Sequence, residues 1–396
     1  MSSATVTRWS RRYVAVGALS LFGWQLAVFL GAGRATGVAL GVYGFVFHVV
    51  FGKAYALVPS YFDRDLAVPR APALQFPFVV VGTACLAVAT VPGVPPLVRT
   101  AGATLWAAGV ALFCGALGWT VRDNLTGAET GTGDANAHRR WVDRVANAFV
   151  PVALAYLLLG TYETLAMASP LPALVGRGLP ATTHLLAAGG AVTLLVAVGF
   201  RLLPRFLVAA PPTALVAVVL PAAAAGPMLL ATSFGGGLVF RVGAAVEAVA
   251  VVGFAVAFAV TFARSGRDRV GFYGVLAGVV AGSAGVLLGV GFAFGHLAPV
   301  ADAVRAHLRL NVLGLLGLAI VGISYQFYPP TVGSFPGASD RTAGASLATV
   351  AFGLAVEVVG RLGGVRTAVS VGLGLGLVGT GLYVYLLLNV FRERPV

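Results

Sequence analysis

Twelve apolar stretches, each about long enough to cross a lipid bilayer, dominate this chain of 396 residues. Charged residues make up only 10% of the sequence, whereas a soluble protein carries about 25%. The pattern predicts an all-α integral membrane protein, a single polytopic membrane domain over 1–396 with about twelve transmembrane helices. We expect these helices at roughly 13–33, 36–59, 73–92, 97–120, 145–167, 179–203, 211–234, 238–262, 270–296, 305–328, 342–362 and 366–391.

The arginines between these stretches predict the orientation of the chain in the lipid bilayer. With both termini inside, 17 arginines lie in inner segments and eight lie on the outer side. Cytoplasmic loops carry the excess of Lys and Arg, so we expect cytoplasmic termini in the cell membrane of a prokaryote. The arginines are spread over short loops, so the net charge of +13 indicates no nucleic-acid partner. The outer arginines are Arg34, Arg99, Arg177, Arg241, Arg305, Arg309, Arg361 and Arg366.

Three of the predicted helices end in similar sequences. At the inner ends of helices two, six and ten, a glycine is followed after a short spacer by a proline, at 52–59, 199–204 and 322–329. The helices therefore group by fours, at about 1–120, 121–265 and 266–396. Two of the five histidines, His184 and His307, lie near the starts of helices six and ten. Repeated helical units often place a ligand site where the repeats meet.

The tenth helix resembles a helix of the haem-copper oxidase subunit I superfamily. Its sequence from His307 through Leu, Arg309, Leu, Asn, Val, Leu and Gly314 to Pro329 is similar to the family's His-x-His helix, most of all that of the cbb-type oxidases. His184 stands 20 residues before Pro204, as the family's copper-ligand histidine stands before its helix-ending proline. The resemblance implies twelve helices in three pseudo-symmetric groups of four. It also implies a b-type haem with His307 as axial ligand and His184 on the distal side.

The chain departs from the family pattern at the other ligand positions. Arg309 replaces the second histidine of the His-x-His pair, and Thr36 and Gly37 stand near the family's low-spin haem ligand on helix two. No histidine lies between His184 and His296, so the copper pair of helix seven is missing. We therefore expect no copper and no full oxidase or nitric-oxide reductase chemistry. Nitric-oxide-response membrane proteins are divergent members of this superfamily, and the chain is similar to them in kind.

Four more residues are candidates for a haem or metal site. Arg305 and Arg309 flank His307 and could pair with haem propionates, or they could simply mark the membrane interface. His48 lies in the middle of helix two, where a polar residue is costly and often functional, as a metal or haem contact or on a proton path. Glu163, at about the depth of His184, could ligate a non-haem iron, although one His and one Glu are too few for a stable site.

Three functions remain open from the sequence. The first is a haem-binding membrane protein that acts in electron transfer or in nitric oxide or oxygen binding, with respiratory-complex subunits or an electron donor as partners. The second is a secondary transporter that uses Lys53, Glu163 and Glu247. The third is a cofactor-free subunit of a respiratory complex. A transporter concentrates its polar groups and broken helices at the midplane, whereas His184 and His307 lie toward one surface, which favours haem.

Four patterns predict local packing. Glu357 and Arg361 are four residues apart on helix eleven, which favours a structural ion pair. Pro221 and Pro227 predict a kink in helix seven. The loop at 122–141 is rich in Gly, Thr, Asp and Asn, which predicts flexibility. The glycines of helix twelve predict close helix approach; they are Gly372, Gly374, Gly376, Gly379 and Gly381.

Overall fold

The computed structural model describes residues 3–176 and 178–394, so Arg177 lies outside the described residues. Within these residues the chain forms helices and no strands, and twelve helices are long and apolar enough to span a membrane. The prediction of an all-α membrane protein is confirmed. The helices are Ser3–Phe29 (α1), Arg34–Tyr61 (α2), Ala71–Val88 (α3), Pro96–Val121 (α4), Asp134–Ala166 (α5), Leu179–Leu207 (α6), Thr213–Thr232 (α7), Gly237–Ala263 (α8), Val270–Ala293 (α9), Ala301–Val332 (α10), Asp340–Leu362 (α11) and Arg366–Glu393 (α12).

The first helix begins earlier than its apolar stretch. We predicted a start near Tyr13, but α1 is already helical from Ser3. Arg8, Arg11 and Arg12 therefore lie within the helix rather than before it. Arginine is a good helix former, and no proline or glycine interrupts this segment. The apolar stretch marks where lipid begins, and the hydrogen-bonded helix extends beyond it.

Helices α2, α6 and α10 share a feature that the sequence analysis did not predict. Each contains a π-helical segment, Ala39–Val46 in α2, His184–Val192 in α6 and Leu310–Leu318 in α10. Each segment begins about 20 residues before the proline of the repeated ending. π-Helical turns are rare and occur frequently at functional sites. Their recurrence at one position of the repeat marks these three helices as equivalent.

The same three helices are also the most deeply packed. In the most apolar 18-residue window of each helix, 78%, 78% and 72% of the residues of α2, α6 and α10 are buried, whereas the other described spans reach at most 50%. Neighbouring helices within the predicted groups also pair extensively, α3 with α4, α5 with α6, α7 with α8, α9 with α10 and α11 with α12. The deepest burial therefore recurs with the four-helix period of the sequence, at the second helix of each group.

The contacts define two compact units. The first unit comprises 1–14 and 47–266, and the second comprises 15–46 and 267–396. The break at Gly266 coincides with the predicted start of the third helix group. Residues 15–46 belong to the second unit, in which α1 packs on α12. The close contact is visible at Gly381, where an added Cβ atom would lie 3.3 Å from the Phe22 ring.

Two glycines of α12 provide a matched test of the predicted close approach. A Cβ atom at Gly379 would lie 2.7 Å from Val350 Cγ2 and 2.9 Å from the Val350 backbone nitrogen, whereas one at Gly374 would meet only the Phe29 ring, at 3.8 Å. We expect Gly379→Leu to lower the free energy of unfolding by about 1–3 kcal/mol or more, because α11 must move away. Gly374→Leu should change it by about 0.5 kcal/mol or less. Thermal unfolding in detergent measures both, and equal effects would contradict this packing.

Candidate functional site

His307 is held in a defined orientation at the start of α10. Its Nδ1 atom lies 2.8 Å from the carbonyl oxygen of Gly285 in α9. A carbonyl can only accept, so Nδ1 carries the proton, and in the neutral imidazole the lone pair is on Nε2. The ring lies against Gly289, where an added Cβ atom would be 2.9 Å from Cε1, and its centroid is 6.0 Å from that of Phe292. The glycines of α9 therefore make room for this imidazole.

His184 has the same kind of hydrogen bond. Its Nδ1 atom lies 2.8 Å from the carbonyl oxygen of Pro180, one turn earlier in α6, and its ring centroid is 5.2 Å from that of Phe234. His184 is also the first residue of the π-helical segment of α6. A backbone carbonyl on one ring nitrogen is the usual support of a metal-binding histidine, because it fixes the tautomer and the ring orientation. His184 belongs to the first unit and His307 to the second.

Arg309 is the centre of a buried ion-pair network in the second unit. Its Nε donates to Glu357 Oε2 at 2.9 Å, and its Nη2 donates to Glu357 Oε2 at 2.7 Å and to Gln25 Oε1 at 2.8 Å. Arg361 Nε donates to Glu357 Oε1 at 2.9 Å, which confirms the predicted pair on α11. The guanidinium lies 5.0 Å from the centroid of Trp24. Arg309 is therefore held by an ion pair within the chain.

Arg305 lies at the surface beside this network. It is exposed, and its Nη1 is 3.6 Å from Asp302 Oδ1. Asp302 also accepts a hydrogen bond from Arg361 Nη1 at 3.1 Å. The predicted interfacial position of Arg305 is consistent with this exposure.

Glu163 and His48 are both fully buried in the first unit. The Oε1 atom of Glu163 accepts hydrogen bonds from the backbone amides of Leu174 and Val175, at 2.8 and 2.9 Å, so this carboxylate holds the loop after α5. His48 is fully buried, with its ring centroid 6.2 Å from that of Tyr13. Within the described residues, no group of three or more His, Cys, Asp and Glu side chains could hold a metal ion.

Glu247 is a buried acid that packs on the proline-containing helix α7. It is 7% exposed, and its Oε2 has no hydrogen-bond partner among the described residues. It packs on Gly226 of α7, where an added Cβ atom would lie 2.5 Å from Oε2. Helix α7 remains continuous through both of its prolines. Pro227 has no N–H, so it cannot donate the usual helical hydrogen bond to the carbonyl of Ala223. Thr193 Oγ1 donates to this carbonyl instead, at 2.8 Å.

A second buried network, which was not expected from the sequence, lies near the C-terminal ends of α2 and α6 in the first unit. Arg201 is 2% exposed and donates from Nη1 to the Tyr61 carbonyl and from Nη2 to the Thr130 carbonyl, both at 2.8 Å. Asp143 lies 3.6 Å from Arg201 Nε. Arg201 is one of the 17 arginines predicted on the inner side, and its place within an apolar helix was the available signal of a buried role. The loop predicted to be flexible is therefore anchored at Thr130.

A cluster of exposed charged residues also holds this loop, through Arg64, Asp123 and Glu129. Arg64 Nε donates to both carboxylate oxygens of Asp123 at 3.2 Å, and this hydrogen bond lowers the pKa of Asp123. Asp123 and Glu129 in turn raise the pKa of Arg64. Because folding lowers the pKa of Asp123, its ion pair stabilises the folded protein at pH values above the unfolded-state pKa of this carboxyl. The stabilisation is lost as the pH falls through the folded-state pKa. Exposed pairs of this kind contribute little.

Comparisons with known proteins do not assign the chain to a family. Neither the protein-family models nor the curated proteins gave a match to this sequence.

Proposed function

We propose that this protein is a membrane haem protein in which His307 is the axial ligand of a b-type haem. The observation that supports it most is the hydrogen bond from His307 Nδ1 to the Gly285 carbonyl, at 2.8 Å. It places the lone pair of the neutral imidazole on Nε2, the atom that a haem iron takes from a proximal histidine. His184 has the same tautomer and is the other candidate ligand, to be tested separately.

The residues present fit a haem held by one imidazole better than they fit the low-spin haem of the family that the chain resembles. Arg309 stands at the low-spin ligand position and is engaged by Glu357 and Gln25. A guanidinium stays protonated in proteins and has no lone pair for iron. The ligand set therefore supports one haem rather than the haem pair and copper of a complete oxidase.

With His307 as its protein ligand, a haem would be able to bind oxygen, nitric oxide or carbon monoxide at its iron. The residues around His307 serve to hold the imidazole: Gly285 fixes the tautomer, and Gly289 lets the ring pack against α9. Asn311 Nδ2 donates to the backbone carbonyl of His307 at 2.8 Å and supports the same turn. This arrangement favours gas binding or response, with an electron donor or respiratory subunits as partners.

The optical spectrum of the protein tests this proposal. The full chain, produced with ample haem and purified in detergent, should show a Soret band in the reduced state. Carbon monoxide should shift that band, since one axial position is open to the gas. A Soret band that does not respond to carbon monoxide would support electron transfer instead. Absence of a Soret band would overturn the proposal.

A proton-coupled transporter is the second candidate, and the position of Glu247 favours it. A buried carboxyl group whose Oε2 atom has no hydrogen-bond partner among the described residues is costly inside a membrane helix and marks a proton or substrate path by default. We expect Glu247→Met to raise the free energy of unfolding by about 1–3 kcal/mol, since a buried polar group without a hydrogen bond costs about that much. Thermal unfolding of the variant measures this change. A fall in stability would mean that the carboxyl group has a structural partner.

A further inference from the structure

Four of the arginines predicted on the outer side meet in one cleft of the second unit. Arg34, Arg305, Arg309 and Arg361 line a cavity of about 80 Å³ together with Trp24. The arginines come from α2, α10 and α11, and the indole comes from α1. Four helices thus direct cationic or hydrogen-bond-donating side chains at one small space, which we call the arginine cleft.

The charge in the arginine cleft is not balanced by acids. Glu357 contacts Arg309 and Arg361, and Asp302 contacts Arg305 and Arg361. These are the carboxylates that form ion pairs with the cleft arginines within the described part of the chain. Arg34 is exposed and has no ion pair with a described residue. Four cations face two anions, so the cleft has an excess of positive charge that suits an anionic ligand.

Two buried donors in the cleft lack acceptors. Arg309 Nη1 and Trp24 Nε1 have no hydrogen-bond partner among the described residues, although the two side chains are 3% and 1% exposed. A buried donor without an acceptor is costly, so such groups usually meet a ligand, an ion or water. A Cβ atom at Gly37 would lie 3.1 Å from Trp24 Nε1, and Gly37 lines the cleft. With no side chain at Gly37, the buried indole N–H lies at the wall of the cleft.

We propose that the arginine cleft binds a phosphate group. The donors converge from several helices, so they can reach more than the two oxygens of a carboxylate. Arginine binds phosphate oxygens with its planar fork of N–H groups. A cavity of about 80 Å³ has room for a group of that size. This inference does not depend on the proposed haem.

The surroundings favour the headgroup of a bilayer lipid as the source of the phosphate. Leu30 and Phe29, at the end of α1 next to the cleft, are 73% and 47% exposed. Apolar side chains that project beside a cationic cleft at the end of a membrane helix suit the acyl chains below a phosphate. A soluble phosphate shares the same chemistry and must be separated by experiment.

Thermal unfolding of the full chain in a nonionic detergent tests the phosphate site. The protein is made without added haem, in a buffer free of phosphate and sulfate, so no propionate or buffer anion competes. The two probes are inorganic phosphate and a short-chain phosphatidylglycerol below its micellar concentration. We expect the lipid to raise the unfolding midpoint in a saturable manner. Protection by inorganic phosphate as well would show that the headgroup alone is sufficient.

Matched variants locate the effect. Arg34→Gln removes an exposed cation without an ion pair, and Trp24→Phe removes the indole N–H while a ring remains. Each should weaken the apparent affinity by about tenfold or more, the effect of losing one hydrogen bond to a charged group. Arg99→Gln, an exposed outer arginine of the first unit, should leave the affinity unchanged. The proposal would be overturned if neither probe raised the unfolding midpoint, or if both probes raised it equally for the wild type and all the variants.

Discussion

Replacing Glu357 with alanine should lower the free energy of unfolding by about 3–5 kcal/mol, because it leaves two buried cations without their shared carboxylate. Glu357 is fully buried and accepts hydrogen bonds from Arg309 and Arg361. After the change, Arg309 keeps only the Gln25 oxygen at 2.8 Å, and Arg361 keeps Asp302 at 3.1 Å. Equilibrium unfolding of the purified protein in mixed detergent and sodium dodecyl sulfate measures the loss.

Asp302→Ala is the control for this prediction. Asp302 pairs with Arg305 and Arg361 of the same network, but its side chain is 54% exposed. Exposed ion pairs contribute about 0.2–1 kcal/mol, so the loss should be several times smaller than for Glu357. The combined variant Arg309→Met and Glu357→Leu should be more stable than Glu357→Ala, because apolar replacement of a buried pair is often neutral or stabilising. Equal losses for Asp302 and Glu357 would contradict the buried network.

The sequence was sufficient to predict the membrane helices. Bilayer length and the scarcity of charge impose their number and type, since backbone groups in lipid must be satisfied within a helix. The repeated Gly-to-Pro endings also selected α2, α6 and α10, which carry the π-helical segments and the deepest burial. The π-helical segments themselves were not predictable, because they differ from α-helix by one residue in hydrogen-bond register and leave no mark in hydropathy.

The polar networks were predicted only in part. Glu357 and Arg361 could be paired from their spacing on one helix. Their link to Arg309 and Gln25 joins α11 with α10 and α1, and hydropathy does not report which helix faces which. Arg309 was expected to lie at the interface or on haem propionates, and in the structure it is buried on a carboxylate of the chain itself. Arg201 was missed for the same reason, although its place in an apolar helix was a usable sign.

Replacing His307 with glycine should abolish the haem spectrum, because it removes the proposed axial ligand of the iron. The imidazole contacts Gly285 and Phe292 of α9, and its removal leaves a space that added imidazole could refill. We therefore expect the Soret band of the variant to disappear and to return when free imidazole is supplied. Recovery by imidazole distinguishes a lost ligand from a misfolded protein.

His184→Gly and His296→Gly complete this series. His296 is an exposed loop residue, and its replacement should leave the spectrum unchanged. His184→Gly should alter the spectrum if His184 also contacts the haem or a bound gas, and leave it unchanged if its role is the hydrogen bond to Pro180.

The reduced-minus-oxidised spectrum of wild type and His307→Gly, both produced with ample haem, tests the central claim most directly. A Soret band in the wild type that is lost in the variant and restored by imidazole is the predicted result. A wild type without a Soret band, or a variant with the same band as the wild type, would contradict haem binding at His307.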